Sequence, residues 1–288
     1  MTNPVARPRS AAEAPGASAG RADALDRTPL PRLARGLWLA WAVCLALAML
    51  WGNLGGGHAT LPATWGRMGA SLALVAAAWV GFSWWRGSDA GRFSALIALG
   101  MTLGTWGDFY NAELLNFMAP LGDPVLGGMI CFGLGHVAYI VACVNAATHA
   151  KLNNRAVKYG CLAAWLVVAT LGWYGIVYVG ASEKTRDLVW PALPYSLLLA
   201  STAGLATGLA AQNRQFRPLA VGTALFFVSD MLLAVGLFRG NLPYSTELVW
   251  LTYSPGQMLI VFGALAVCPL LIRNVATDAA PHRAGAGG

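Results

Sequence analysis

Charged side chains are scarce in this sequence. Of its 288 residues only 11% are charged, while 57% are hydrophobic; a water-soluble domain carries about 25% charged residues. This composition excludes an ordinary soluble domain and indicates an integral membrane protein. The sequence has 19 basic and 12 acidic residues, a net charge of +7. In so apolar a chain we interpret this excess as a signal of membrane topology, and nucleic-acid binding is not expected.

Cysteine pairs and the motifs of common enzymes are also missing. The five cysteines all lie inside apolar runs and have no CxxC spacing, which argues against a disulfide framework or a zinc cluster. They are Cys44, Cys131, Cys143, Cys161 and Cys268. The sequence contains no GxSxG, HExxH or P-loop motif, so no nucleophile, metal or nucleotide motif indicates an activity. We therefore expect neither a metal nor another cofactor.

Apolar runs of spanning length fill most of the chain. A bilayer core about 30 Å thick takes about 20 helical residues. By this measure eight spans are predicted, at residues 37–55, 68–85, 93–115, 124–148, 158–180, 188–211, 217–238 and 248–272. The predicted fold class is therefore all-α, a polytopic integral membrane protein with eight transmembrane helices at residues 37–272.

The two ends of the chain differ from this apolar region. Residues 1–36 are rich in Ala, Pro, Arg and Gly, lack apolar periodicity and are predicted to be a disordered cytoplasmic tail. The first apolar run already has spanning length, so a cleaved signal peptide is not expected. Residues 273–288 are predicted to be a short cytoplasmic tail.

Basic residues are distributed unevenly between the two predicted membrane faces. With the N-terminus inside, fifteen of the 19 Lys and Arg residues fall on the cytoplasmic side and four on the other side. The four are Arg67, Lys184, Arg186 and Arg239. This positive-inside bias and the even number of spans predict that both termini are cytoplasmic.

Polar side chains within the spans are the candidate functional residues, because burying an ionisable group in a membrane is costly. Two aspartates qualify clearly, Asp108 on the third span and Asp230 on the seventh. Glu113 is near a span end and ranks lower. The remaining candidates for binding or orienting the substrate are His136, Tyr139, Tyr195, Ser229, Tyr253 and Gln257.

The rare polar groups are predicted to lie at similar depths. With a helical rise of about 1.5 Å per residue, Asp108 and Asp230 lie about 10 to 12 Å from the outer ends of their helices. By the same rise Gln257 lies about 13 Å and His136 about 18 Å deep. We therefore predict one shared polar site between the midplane and the outer surface. The alternative interpretation is that these groups only form hydrogen bonds that hold helices together.

A weak internal repeat relates the two halves of the chain. Asp108 and Asp230 are separated by 122 positions, and the segment from Phe132 aligns with the segment from Tyr253 at a similar offset. Four spans in each half would make a parallel four-plus-four repeat, with an axis along the membrane normal. Each half then contributes one aspartate.

Two intramembrane aspartates can provide both an acid and a base. Two carboxyl groups in a low-dielectric cavity cannot both ionise cheaply, because desolvation and mutual repulsion oppose it. We expect one of Asp108 and Asp230 to be protonated and the other ionised near neutral pH. Such a pair suits acid-catalysed hydrolysis, and the sequence does not indicate which aspartate is the acid.

Four short motifs carry these polar residues. They are Gly107-Asp108, Gly135-His136-x-x-Tyr139, Gly222-x-x-Leu225-Phe226-x-x-Ser229-Asp230 and Tyr253-x-x-x-Gln257-x-Leu259-Ile260. In their order, spacing and eight-span setting they resemble the YhhN-type lysoplasmalogenase family of polytopic membrane hydrolases, over about residues 37–272. The sequence departs from the family in its long Arg/Pro/Ala tail and in Pro255.

The resemblance implies an activity and a pair of catalytic residues. The family activity is hydrolysis of the vinyl ether bond of lysoplasmalogens to a fatty aldehyde and a glycerophospho head group. The two intramembrane aspartates of the family correspond to Asp108 and Asp230. The implied partners are a lysophospholipid substrate and the surrounding bilayer, in a bacterial inner (plasma) membrane. The sequence does not indicate an oligomeric state.

The other polar residues are assigned orienting roles as a hypothesis. His136 and Tyr139 are predicted to orient Asp108, and Tyr253 and Gln257 to orient Asp230 or the attacking water. Tyr195 is a further candidate.

Three rival functions are weighed against hydrolysis. A proton-coupled transporter would use the same two aspartates as protonation sites. In an intramembrane aspartyl protease Pro191-Ala192-Leu193 would stand for the PAL motif, but Thr105 replaces the glycine of GxGD and the tripeptide lies between the aspartates rather than after them. A zinc hydrolase is disfavoured because only one histidine is embedded.

Overall fold

Eight long helices make up the part of the protein that the structure describes. A computed structural model describes residues 29–54, 57–115, 123–240 and 242–278, and this part of the chain contains no β-strand. The predicted all-α, polytopic fold is confirmed. The helices are α1 (Pro29–Leu54), α2 (Leu61–Trp85), α3 (Gly91–Asn111), α4 (Pro124–His149), α5 (Arg155–Gly172), α6 (Val189–Gln212), α7 (Arg217–Ala234) and α8 (Ser245–Asp278).

Short non-α turns extend two of these helices. A π-helical turn continues α5 over Trp173–Tyr178, and a second one continues α7 over Val235–Arg239. 3₁₀ turns at Glu183–Leu188 and Arg214–Phe216 precede α6 and α7. π-helical turns within membrane helices often mark functional sites, and both of these lie against the pocket described below.

Seven of the described helical segments are long and apolar enough to cross a membrane. The remaining long helix, α3, has 21 residues, which is also a spanning length. It is less apolar because glycine, threonine and aspartate replace larger apolar residues along it. α3 contacts α2, α4 and α8, so it packs against three other helices.

Several helix ends differ from the predicted boundaries. α1 begins at Pro29, so residues 29–36, which were assigned to the tail, are helical. α8 continues to Asp278, beyond the predicted end of the last span. The predicted tails otherwise fall on residues 1–28 and 279–288, which lie outside the described residues.

The start of α2 and the end of α3 change how two polar residues are placed. α2 begins at Leu61 with Pro62 in its first turn, a position that suits proline, so Arg67 lies inside the helix and not in an outer loop. α3 ends at Asn111, and Glu113 follows it with a φ angle of +59°. Glu113 is therefore outside the helix.

The helix packing agrees with the predicted four-plus-four repeat. α1 packs on α2 as α5 packs on α6, and α3 packs on α4 as α7 packs on α8. Between the halves, the fourth helix of each half contacts the second helix of the other half: α4 contacts α6, and α8 contacts α2.

In each half of the repeat, glycines at equivalent positions let the aspartate-bearing helix pack closely against the next helix. A Cβ atom at Gly135 would lie 2.9 Å from the carbonyl oxygen of Gly100, and one at Gly256 would lie 2.9 Å from that of Gly222. Side chains at these positions would force α3 away from α4 and α7 away from α8. Small residues thus set the close helix contacts, as is usual in membrane bundles, and fix the aspartates of α3 and α7 relative to α4 and α8.

Candidate functional site

Asp108 is held in a polar cluster inside the bundle. It lies three residues before the end of α3 and is only 4% exposed. Its Oδ2 atom accepts a hydrogen bond of 2.6 Å from the Ser71 hydroxyl on α2 and one of 3.0 Å from the Tyr253 hydroxyl on α8. Two neighbouring helices therefore fix the orientation of this carboxyl group.

A chain of hydrogen bonds continues from Asp108 through α8 to α4. The Gln257 side-chain amide donates to the Tyr253 hydroxyl at 3.3 Å, and its oxygen accepts from the Tyr139 hydroxyl at 3.2 Å. All of these groups are buried. In this assignment every donor in the chain points towards Asp108, and such chains strengthen their terminal bond by mutual polarisation.

A buried arginine lies near Asp108. The Arg67 Nη2 atom donates to the backbone oxygen of His58 at 2.9 Å and to the Thr64 hydroxyl at 3.3 Å. Its guanidinium lies 5.5 Å from the centre of the Trp250 ring, within the range of a cation–π contact. Arg67 lies four residues before Ser71, which bonds Asp108, so both side chains are on one face of α2 and this side of the cluster contains a cationic side chain.

Asp230 has a different environment on α7. Its Oδ2 atom accepts a hydrogen bond from the Tyr195 hydroxyl on α6. The Ser229 hydroxyl donates at 2.7 Å to the backbone oxygen of Phe226, and its 3.4 Å approach to Asp230 Oδ1 is a secondary contact. Asp230 is partly buried rather than fully buried, because it reaches the wall of a pocket.

This pocket is a mainly apolar cleft that ends at Asp230. It encloses about 600 Å³, including its open mouth. The end of α3, α4, α6, α7 and both π-helical turns form its wall, and its polar lining side chains are Asn111, Tyr195, Ser196 and Asp230. Asp108 does not line it. A cleft with a few convergent polar groups in an apolar wall is typical of a binding site for a largely apolar ligand.

The two carboxyl groups form separate hydrogen bonds. Among the described residues no hydrogen bond joins Asp108 to Asp230, and each bonds other partners. Phe132 forms part of the pocket wall and packs edge-on against Tyr253, with 6.0 Å between ring centres. The shared polar site that the sequence predicts thus has two compartments, one buried and one at the pocket.

His136 does not reach either aspartate. Its Nδ1 atom lies 2.9 Å from the Thr202 hydroxyl on α6, and its ring packs edge-on against Phe226 and Tyr139. Nε2 is buried without a hydrogen-bond partner among the described residues. The structure therefore connects His136 to α6, and not to Asp108 as the sequence hypothesis has it.

The other predicted orienting residues are brought to the cluster, some with different partners. Tyr139 is linked to Asp108 only through Gln257 and Tyr253. Tyr253 and Gln257, which the sequence hypothesis has orienting Asp230 or the attacking water, lie on the Asp108 side. Tyr195, which had no assigned partner, bonds Asp230.

Sequence reasoning missed Ser71 and Arg67. Thr64, Arg67 and Ser71 are spaced three and four residues apart on α2, so they lie on one helix face. That spacing was the available signal, but the predicted span began after Arg67. Thr202 and Phe132 were also missed, because a threonine and a phenylalanine are ordinary residues in an apolar helix.

Metal ligands do not cluster in the described residues. No group of three or more His, Cys, Asp or Glu side chains there could hold a metal ion. Both aspartates instead have hydroxyl partners from tyrosine and serine, an arrangement suited to proton transfer and charge stabilisation.

The fold defines a polytopic helical membrane protein, and two of its helices carry the aspartates described above. Residues 63–264, which run from α2 into α8, match the model of the YhhN family. Because the match covers well over half of the 288 residues, the chain belongs to the YhhN family. No curated protein and no solved structure matches it significantly.

Proposed function

We propose that this protein is a membrane hydrolase that cleaves the vinyl ether bond of lysoplasmalogen-type lysophospholipids. The observation that carries the proposal is the pair of aspartates at repeat-equivalent positions of α3 and α7, of which one reaches an apolar pocket. Membership of the YhhN family supports it. The products are a fatty aldehyde and a glycerophospho head group.

The chemistry requires an acid in a site that can tolerate a cation. A vinyl ether resists base, but protonation of its β-carbon produces an oxocarbenium ion that water attacks. The resulting hemiacetal separates into an aldehyde and an alcohol. Two neighbouring aspartates, one protonated and one ionised, supply the proton and stabilise the positive charge. Tyrosine and serine hydroxyls that bond both aspartates keep the carboxyl groups in position.

The pocket favours a substrate with a single apolar chain. Its walls are formed largely by side chains such as Met129, Leu199 and Leu237, so an alkenyl chain lies against apolar groups while its ether linkage meets Asp230. A lysolipid has one such chain to place in the pocket.

The membrane arrangement is part of the same proposal. With both termini on the cytoplasmic side, the aspartates lie in the outer half of the bilayer. A bacterial inner (plasma) membrane suits this topology. The lysolipid then reaches the pocket from the outer leaflet with its head group at the surface.

The proposal is tested by measuring aldehyde release from lysoplasmalogen by the purified protein in detergent. The controls are the saturated alkyl ether lysolipid of the same length, and the folded variants Asp108→Asn and Asp230→Asn. We expect aldehyde from the vinyl ether only, and a loss of release in both variants. An inert parent protein, or full activity without either carboxyl group, would contradict the hydrolase. In that case proton-coupled transport in proteoliposomes becomes the reaction to assay.

A further inference from the structure

The two aspartates are exposed to the substrate to different degrees. Asp230 lines the pocket, whereas Asp108 is 4% exposed and takes no part in the wall. Phe132 belongs to the wall and packs against Tyr253, the hydrogen-bond partner of Asp108. A lipid tail in the pocket would therefore contact Asp230 but not Asp108.

The repeat shows where this difference originates. In both halves a hydroxyl of the preceding helix bonds the aspartate, Ser71 of α2 to Asp108 and Tyr195 of α6 to Asp230. The second donor to Asp108 is Tyr253 of α8. The aligned residue of the first half is Phe132 of α4, which has no hydroxyl to donate to Asp230. Asp230 therefore has no counterpart of the donor chain that reaches Asp108 through Tyr253.

Charge adds to the same asymmetry. Arg67 is buried on α2, four residues before Ser71, and its position is fixed by hydrogen bonds to α2 and the preceding turn. Among the described residues that line the pocket at Asp230 there is no lysine or arginine. A carboxylate is favoured by a nearby cation and by two hydroxyl donors, while a carboxyl group at an apolar wall favours its neutral form.

We propose, building on the hydrolase function above, that Asp230 alone exchanges protons with the substrate and that Asp108 is a fixed negative charge. In this division Asp230 is the catalytic acid and base. Asp108 is an electrostatic and positioning residue that never contacts the lipid. Ser71, Arg67 and Tyr253 hold Asp108 in its charged form.

Asp230 donates and recovers the protons that the reaction uses. The π electrons of the vinyl ether take the proton of Asp230 and form a C–H bond at the β-carbon, which leaves an oxocarbenium ion and an Asp230 carboxylate. Water adds to the cationic carbon and returns a proton to Asp230. Protonated Asp230 then gives its proton to the glycerol oxygen as the bond from that oxygen to the hemiacetal carbon breaks. The Asp230 carboxylate takes the proton of the hemiacetal hydroxyl, which leaves the aldehyde, the alcohol and protonated Asp230. The Asp108 charge stabilises the cation throughout.

The assignment is tested by reaction with dicyclohexylcarbodiimide, an apolar reagent that modifies protonated carboxyl groups in apolar surroundings. The purified full-length protein is treated in detergent, and peptides containing each aspartate are quantified by mass spectrometry. We expect modification of Asp230 and none of Asp108, with protection of Asp230 by the saturated ether lysolipid. In Asp230→Asn the modification is lost at that peptide and does not move to Asp108. Preferential or equal modification of Asp108 overturns the assignment.

A second measurement follows aldehyde release and uses formate to replace a missing carboxyl group. Formate should restore part of the activity of Asp230→Ala, where the new space opens on the pocket, and none of that of Asp108→Ala. Rescue of Asp108→Ala, or of neither variant, overturns the assignment while the parent protein stays active. If the reagent modifies Asp230 but the protein releases no aldehyde, the hydrolase function is contradicted. The proposed proton transfer by Asp230 is then contradicted as well.

Discussion

The Tyr253 hydroxyl on α8 donates a hydrogen bond of 3.0 Å to Oδ2 of Asp108 on α3. These residues are 145 positions apart in the sequence and belong to different halves of the repeat. The contact therefore ties the aspartate of one half to a helix of the other half. Gln257 and Tyr139 extend it into a buried chain that ends on α4, so the geometry of Asp108 depends on three helices at once.

Replacing Tyr253 by phenylalanine removes this donor and little volume. A hydrogen bond to a charged group contributes about 1.5 to 3 kcal/mol, so we expect kcat for aldehyde release to fall by about tenfold to a hundredfold. The KM for lysoplasmalogen should change little, because Tyr253 does not line the pocket. Tyr139→Phe, at the far end of the hydrogen-bond chain, is the matched control, and its kcat should fall less. Equal losses in both variants would contradict a chain that ends at Asp108.

Arg67 offers a separate test of the charge on Asp108. Arg67→Lys keeps a cation near the carboxylate, while Arg67→Met removes it and keeps an apolar stem. We expect Arg67→Met to release aldehyde more slowly than Arg67→Lys, since only the lysine compensates the Asp108 charge. Steady-state rates of both proteins, compared after size-exclusion chromatography, measure this. A methionine variant as fast as the parent would show that the arginine has no electrostatic role.

The size of the pocket should set the preferred chain length. Ala192 lies on its wall and is 5% exposed, so Ala192→Phe fills part of the space that a lipid tail would occupy. The variant should prefer shorter alkenyl chains than the parent in a series of lysoplasmalogens. Val221→Phe places the same ring on the exposed surface of α7 and should leave the chain-length profile unchanged. If the chain-length profile of Ala192→Phe does not shift, the lipid tail does not bind in this pocket.

His136 should matter more for packing than for chemistry. Its one hydrogen-bond contact is with Thr202, and its Nε2 atom has no partner among the described residues. Replacement by a leucine of similar size should therefore lower the free energy of unfolding by about 1 kcal/mol or less. We expect the rate of aldehyde release by His136→Leu to stay within about fivefold of the parent rate, which corresponds to about 1 kcal/mol of activation free energy. A hundredfold loss with an unchanged melting temperature would instead assign His136 to the reaction.

The glycine contact between α3 and α4 should be sensitive to a single methyl group. In Gly135→Ala the new Cβ would lie 2.9 Å from the carbonyl oxygen of Gly100, so the helices must separate. We expect destabilisation of about 1 to 3 kcal/mol, typical of overpacking. Gly160→Ala is the control on α5, where a Cβ meets nothing within 4 Å. That variant should be stabilised by about 0.5 to 1 kcal/mol. Melting temperatures in one detergent compare the two, and equal values would contradict the close helix contact.

Hydropathy and buried polarity made much of this architecture predictable from the sequence. Spanning apolar runs are visible because a bilayer requires them, and Asp108 and Asp230 stand out because charges in a span are costly. Their partners were harder to assign. Whether Tyr253 faces Asp108 or Asp230 depends on how α8 is rotated and crosses its neighbours, and hydropathy contains no such information.

Boundary errors and ordinary residue types concealed the rest. A predicted span that began at residue 68 left Arg67 outside the membrane domain, whereas the helix begins at Leu61 and buries it. The two π-helical turns that line the pocket have no distinctive sequence. The repeat already aligns Phe132 with Tyr253 in the sequence, but only the structure shows that the two rings pack against each other.

The most direct test of the central claim is the reaction in D₂O with immediate reduction of the aldehyde to the alcohol, followed by mass spectrometry. Protonation at carbon by an exchangeable carboxyl group places one deuterium on the carbon next to the carbonyl. We expect this single deuterium in the product of the parent protein, and no product from Asp230→Asn. Aldehyde without deuterium at that carbon, or no aldehyde from lysoplasmalogen at all, would contradict acid-catalysed vinyl ether hydrolysis.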